Sequence, residues 1–371
     1  MDNFTEMLAD GMAARGHQID IWHPKAVLSN LPFGFFAKKW LGYFDQYFLF
    51  PADLKIRLLK KSEQTLFVFT DQALGPWVPI FKNRRHIIHC HDFLALQSAS
   101  GLVPENKTSW TGKQYQAFIK RGFHVGKNFI CVSNNTRNHL KEIVKATTIR
   151  NEVVHNGLSK CFRPINREMA RRLILNETGI LVNEGYILHV GGNQWYKNRL
   201  GVVEIYNSWR TWSPLALPLL LVGDTPSKEL VKAVSRSRYK IDIHFIEGKD
   251  IEFIVKAYSG AAILLFPSLS EGFGWPIAEA MACGCPVITT NLAPMTEVGG
   301  DAAFYIEKRP IKENEIRFWA NKSANLLHTV ITASKQDQAQ NIKNGFENIR
   351  RFNVNDTLDR IEQIYLSVIK H

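Results

Sequence analysis

Phe266-Pro-Ser-Leu-Ser-Glu271-Gly-Phe-Gly274-Trp-Pro276-Ile-Ala-Glu279-Ala-Met-Ala-Cys-Gly284-Cys-Pro286-Val-Ile288 holds a strand end, a glycine-rich loop, a helix start and a second strand in one short stretch. The run Ala261–Phe266 that leads into it is apolar at every position, which suits a strand covered on both faces. Glu271-Gly-Phe-Gly274 lets backbone approach a ligand closely, since two of its residues lack a Cβ. Pro276 fits the first turn of a helix, where a missing N–H costs nothing. Free N–H groups at such a helix start bind phosphate. Glu279, about one turn further in, can reach a sugar hydroxyl beside it. Gly284 ends the helix, and Pro286 through Thr290 opens the next strand.

The same alternation continues outward. Tyr186–Val190 reads as a strand leading into Gly191-Gly-Asn-Gln-Trp-Tyr-Lys197-Asn198, followed by a helix over 200–212. Strands at 218–222 and 241–246 and helices at 228–236 and 251–258 come next, punctuated by Gly223-Asp224 and Gly248-Lys-Asp250. Strands spaced by helices give a parallel, doubly wound sheet. Ligands of such sheets sit beyond the carboxyl ends of the strands, where each of these glycine-rich loops falls. The first half repeats the pattern less regularly, with helices over 4–15, 114–121 and 135–144 and strands over 18–22, 66–69, 86–89, 128–132 and 152–155. The fold class is α/β, with one doubly wound domain over 1–170, a second over 171–354 and a final helix over 355–371.

At 371 residues the chain is long for one core, and 45% hydrophobic with 22% charged residues is a globular composition. No apolar run approaches the ~20 residues of a membrane span, and the start lacks a signal-peptide pattern. Five cysteines form no disulfide framework, so a reduced, cytoplasmic compartment is expected, with work at the inner face of the membrane left open. Residues 1–165 carry 22 Lys and Arg against 12 Asp and Glu, most of the net charge of +12. A basic first domain suits an anionic partner such as membrane headgroups or a lipid pyrophosphate. No nucleic-acid-binding motif occurs, so nucleic acid is not expected as a partner. Phe36-Ala-Lys-Lys-Trp-Leu-Gly-Tyr-Phe44 and Pro51-Ala-Asp-Leu-Lys-Ile-Arg-Leu-Leu-Lys-Lys61 mix aromatic, aliphatic and basic residues. That pattern serves either peripheral membrane contact or an amphipathic helix packed on its own domain, and the second is the expected reading.

Two carboxylates with seven residues between them, around a strand–loop–helix junction, resemble the signature of the retaining glycosyltransferases of family 4. These are group 1 transferases of GT-B fold, in which two Rossmann-like domains face a cleft. The likeness runs along nearly the whole chain, strongest over 186–305 and thin over 23–85. It implies a hexosyltransferase that moves a mannosyl- or glucosyl-type sugar from a UDP- or GDP-linked donor to a glycan or lipid-linked acceptor, in cell-surface polysaccharide synthesis. The donor is then a co-substrate, and no cofactor is expected. By the same resemblance Glu271, Lys197 and His91 are the catalytic candidates. Gly192, Lys197, Gly248, Gly272, Phe273, Gly274 and Glu279 would bind the donor, and His91 with Asp92 would face the acceptor. Gly192 stands roughly where many members carry an arginine. No Asp-x-Asp motif occurs, so metal-independent chemistry is expected.

Taken singly, these residues have plainer readings. Lys197 can be a solvated loop lysine and His91 a satisfied structural histidine. His89 and His91 alternate as metal ligands can, but no third ligand accompanies them. Ser133-Asn-Asn-Thr136 reads as a helix cap, and Cys283 and Cys285 as buried thiols at a helix end. A sugar-nucleotide epimerase of the same fold and a non-catalytic nucleotide-sugar binding protein stay open. A phosphorylase would need a pyridoxal-phosphate lysine motif, which is not found. Finally, the family's first domain opens with a buried strand and a glycine-rich loop, whereas this sequence begins inside the helix that follows them. Met1 is therefore expected to be an internal methionine of a longer product, or the gene to be truncated.

Overall fold

Residues 2–32, 34–144 and 148–370 are described by a computed structural model; Met1, on which the expectation of a longer product rests, lies outside them. Two parallel sheets carry the chain. The first consists of β1 (Phe67–Phe69), β2 (His86–Cys90), β3 (Asn128–Cys131) and β4 (Arg150–Val153), in the order β1-β2-β3-β4. The second consists of β5 (Ile187–Val190), β6 (Leu219–Gly223), β7 (Ile243–Glu247), β8 (Ile263–Phe266), β9 (Val287–Thr290) and β10 (Phe304–Ile306). Its order is β10-β9-β8-β5-β6-β7. The chain thus runs outward from β5 to one edge, returns, and runs outward from β8 to the other. The order reverses between β5 and β8, so the loops after these two strands flank one crevice. Lys197 follows β5, and Glu271 follows β8.

Side-chain alternation along the strands builds a core on each face of each sheet. In the second sheet Leu188, Leu264 and Phe266 face one cluster, while Ile187, Ile263 and Leu265 face the other. In the first, Ile88, Cys90 and Phe129 pack with Phe50, Val78 and Phe123. On its opposite face Ile87 and Ile130 meet Leu8 and Met12 of the helix Asp2–Ala13. They also meet Leu358, Ile361 and Ile364 of the last helix, Val354–Lys370, so the end of the chain covers a face of the first sheet.

Two sequence expectations fail. Gln18–Trp22 is extended but is no strand: none of the four strands of the first sheet pairs with it, and Ile19 and Ile21 are exposed. Its alternation imitates a strand, yet without a hydrogen-bonded neighbour no ladder forms. Only Trp22 packs inward, its ring 5.7 Å from that of Phe67. The other concerns the amphipathic helix expected over 36–44 and 51–61: helices do form, as Phe35–Phe44 and Phe50–Leu58 joined by a π-turn over Asp45–Leu49, but they are not packed on the domain throughout. The expected burial of this segment holds for Phe50 and Leu54 but not for Trp40, 70% exposed, or Phe48, 64% exposed; the side chains of Phe36 and Ala37 lie outside the description. No described helix is long and apolar enough to cross a membrane.

Candidate active site between the two sheets

The loop after β5 ends in a short 3-10 turn, Trp195–Lys197, and then Asn198 takes a left-handed conformation (φ 51°). A non-glycine residue accepts that backbone only when side-chain bonds hold it. Asn198 is buried; its Oδ1 accepts from Gly201 N (3.2 Å) as a helix cap, and its Nδ2 donates to Pro267 O (2.9 Å). One side chain therefore ties the β5 loop to the β8 loop. Lys197 is aimed across the crevice, and its Nζ donates to Glu271 Oε1 at 2.8 Å. Ser268 Oγ lies 2.8 Å from the same oxygen, and both members of the ion pair are largely buried. Gly192 lies against Asp224, and a Cβ there would collide with Asp224 Oδ2. That oxygen ends an exposed side chain that can move aside, so the contact by itself does not demand glycine.

After Glu271 the chain turns through Gly274 (φ 99°) into the helix Trp275–Ala282, with Pro276 in its first turn. Pro276 has no N–H and Ile277 N bonds back to Gly274 O at 3.0 Å, so what the helix start offers a ligand or solvent is the amides just before them, up to Trp275. Glu279 sits on this helix, half-buried, and accepts a 2.9 Å hydrogen bond from Tyr258 OH. Burial pushes its carboxyl up to about 7, against the opposing pull of Tyr258 and Lys197. Phe273 has a buried ring packed on Trp275 and Phe352, so any ligand contact it makes falls to its backbone. Gly248 stands apart, at the carboxyl end of the edge strand β7. With Asn193, Asp224, Thr225 and Glu247 it lines an open cavity of ≈ 600 Å³.

The first sheet meets this loop from the other side. A Cβ on Gly272 would collide with the carbonyl oxygen of His91, so glycine is required for the approach. The Gly272 carbonyl accepts from Ser133 Oγ (2.8 Å) and Thr136 Oγ1 (3.2 Å). Ser133 also caps its own helix, Asn134–Ile143, so the cap reading is correct and incomplete. Glu297 reaches over from the second sheet's side to the same helix start, accepting from Asn134 N and Asn135 N, each at 2.8 Å. Burial opposes its ionisation, but the nearby His155, its Nε2 3.8 Å away, and the hydrogen bonds from these two amides outweigh it and hold the carboxyl below its ordinary range.

His91 Nε2 lies 2.9 Å from Thr70 O. A carbonyl only accepts, so Nε2 carries a proton and donates it. Asp92 accepts from Leu94 N at 3.0 Å; burial raises its carboxyl above the ordinary range despite that bond, and nearby Asp71 adds to the rise. His89 is turned away, its Nε2 2.6 Å from Tyr365 OH, and burial drops it to about 3, which keeps it neutral. The two histidines therefore do not converge, and among the described residues no group of three His, Cys, Asp or Glu side chains is placed to hold a metal. Cys283 and Cys285 are buried free thiols at the helix end.

Lys197, Glu271, Gly272, His91 and Asp92 are thus brought to one junction, Glu279 lies a turn along the helix that leaves it, and Gly248 lies at the sheet edge. Together they offer a cation, free backbone donors, carboxylate acceptors and an imidazole. Asn198, Tyr258, Ser268 and Glu297 escape sequence reasoning. Asn198 alone carries a hint, as a polar residue directly before a helix.

Comparison with known proteins agrees with this fold. A family model described as Glycosyl transferases group 1 matches residues 171–344, and one described as Glycosyltransferase Family 4 matches residues 1–159. The chain is 30% identical over 133 residues to an O-antigen chain mannosyltransferase B of Escherichia coli, covering 34% of each chain. It is 24% identical over 200 residues to the O-antigen chain mannosyltransferase RfbU of Salmonella typhimurium, covering 53% of this chain and 52% of that one. The matched stretches thus span about a third and about half of these relatives. Anabaena HepE, solved in complex with UDP and glucose, superposes with a TM-score of 0.69 at 19% identity, over 91% of this chain and 84% of its own.

Proposed function

Since the chain belongs to the group 1 glycosyltransferases of family 4 type and has the GT-B fold, we propose that it transfers a hexosyl group from a nucleotide-diphospho-sugar to a glycan or lipid-linked acceptor in cell-surface polysaccharide synthesis. The donor is UDP- or GDP-linked, the sugar is of mannosyl or glucosyl type, and the anomeric configuration is retained. The observation that carries this reading is the meeting of Lys197, Glu271 and a free helix start at the strand-order reversal, with His91 opposite.

Each group then has a task. Without donor, Lys197 and Glu271 neutralise one another. A diphosphate entering at the helix start competes for Lys197 and frees Glu271 Oε1 to accept from a sugar hydroxyl. As the bond to the anomeric carbon breaks, charge grows on the leaving diphosphate. Lys197 and the Gly272–Gly274 amides stabilise it, each well-placed donor contributing about 2.7–4 kcal/mol. A leaving phosphate oxygen takes the proton of the attacking hydroxyl on the same face, which gives retention. Glu279 holds the ribose hydroxyls. His91, through Nδ1, and Asp92 orient the reacting sugar and the acceptor. The contacts of Ser133 and Thr136 with Gly272 close the site against water, which would otherwise hydrolyse the donor. With no Asp-x-Asp motif, neutralising the leaving group falls to Lys197 and the backbone, and no metal is required.

The test is a panel of UDP- and GDP-hexoses assayed for nucleoside diphosphate release with a lipid-linked oligosaccharide acceptor and with chelator present, followed by NMR of the new linkage. Acceptor-dependent release and a retained anomer are expected. Binding without turnover would leave a binding protein, and acceptor-independent release with an inverted sugar hydroxyl would indicate an epimerase.

A further inference from the structure

The segment 40–49 and the helix Trp110–Phe123 put a large aromatic surface into solvent. Trp40 and Phe48 stand well out, and Trp110 is 73% exposed. The rings of residues 40–48 form two stacks, one of them joined by Trp40, whose ring lies 6.0 Å from that of Tyr43. Phe44 stacks on Phe48 (4.8 Å), Tyr43 on Tyr47 (6.2 Å), and Tyr47 reaches Phe118 (5.6 Å) and hydrogen-bonds Tyr115 OH at 3.0 Å. Exposed apolar surface of this extent is uncommon on a soluble face and marks a site of contact.

Charge selects the partner. The helical segments spanning 35–58 and 110–123 carry seven Lys and Arg against two acids, Asp45 and Asp53. One acid is buried and the other offsets a single arginine. Asp45 is buried and accepts from the backbone N–H groups of Val27, Leu28 and Ser29, and Asp53 is paired with Arg57 at 2.8 Å. Lys38 and Lys39 directly precede Trp40, and Arg121 lies exposed on the helix that bears Trp110 and Phe118. Trp and Tyr with adjoining Lys and Arg suit the boundary between lipid headgroups and acyl chains.

We propose that this aromatic and basic face docks on an anionic phospholipid bilayer. The helix Trp110–Phe123 joins it to the candidate site. Its other face contributes Gln116, Ile119 and Phe123 to a small cavity that Asp92 also lines. The acceptor side of the site would therefore lie close to the bilayer, within reach of a lipid-linked acceptor. That last step rests on the transfer reading, whereas the docking itself does not.

The test is co-sedimentation of the full chain with vesicles of phosphatidylcholine alone and of phosphatidylcholine with roughly 30% phosphatidylglycerol, at low and high salt, with light scattering of the lipid-free protein. Binding to the anionic vesicles only, weakened by salt, is expected. Because the side chains are exposed, W40S/F48S and W110S should keep their thermal melting while partition falls about tenfold or more. F318S, at an exposed position on the helix Glu313–Ile331, should bind as the parent does. No sedimentation, equal binding to neutral vesicles, or a lipid-free dimer that W40S/F48S splits into monomers would each overturn the proposal. None of these readouts depends on turnover, so failure here is separable from failure of the transfer reading.

Discussion

Glu279→Gln should change binding and stability in opposite directions. Burial holds the Glu279 carboxyl at about 7, and only its ionised form accepts from two ribose hydroxyls. About a tenth of the molecules are ionised at pH 6 and about nine-tenths at pH 8, so apparent affinity should rise about tenfold between them. The folded-state pKa is raised, so the folded protein holds this proton more firmly than the unfolded chain. The associated stability is complete below the ordinary carboxylate range and is lost as pH rises through about 7. At roughly 1.4 kcal/mol per pKa unit the loss approaches about 3 kcal/mol at pH 8. A neutral glutamine keeps the Tyr258 contact and avoids the burial of charge. The variant should therefore resist urea better than the parent at pH 8, yet bind nucleoside diphosphate more weakly and with a flatter pH profile. Calorimetric titration at pH 6 and 8 beside urea denaturation tests both halves. The diphosphate's own titration affects both proteins alike and cancels in the ratio. A variant that binds as tightly as the parent at pH 8, or keeps the parent's full pH slope, would refute the reasoning.

Other changes probe the remaining parts. Lys197→Ala should lower kcat by about 10²–10³-fold, with a smaller effect on nucleotide affinity; steady-state kinetics with a turned-over donor separate the two. Glu297→Ala removes the acceptor of the Asn134 and Asn135 amides, a loss of about 1.5–3 kcal/mol from the closed arrangement. A larger radius of gyration in solution scattering and a raised KM should follow. Ile364→Ala, at a buried position of the last helix, should cost about 2–5 kcal/mol, seen as a lower urea midpoint with an unchanged slope.

The second sheet is legible in the sequence because its inner strands are covered on both faces. Leu219–Gly223 and Ile263–Phe266 must then be apolar throughout, and Gly223 and Pro267 mark where they stop. The placing of Lys197 and Glu271 follows from position, since loops after parallel strands gather at one end, while their roles come from the family resemblance. Elsewhere the signal is cancelled. Ile19 and Ile21 alternate as strand residues do but find no partner strand. The aromatic helices over 35–58 face solvent with the residue types that usually face a core, so periodicity leads to the wrong side. Asn198 and Glu297 act through partners far along the chain, Pro267 and Asn134, and no local pattern reports such contacts.

The central claim is that a diphosphate is held where the loop after β8 becomes a helix. A crystal structure with bound nucleoside diphosphate tests it most directly. The account predicts phosphate oxygens within hydrogen-bond distance of Lys197 Nζ and the Gly272–Gly274 amides, with the Lys197–Glu271 pair opened and Glu279 on the ribose. A nucleotide bound elsewhere, with Lys197 still paired to Glu271, would contradict it.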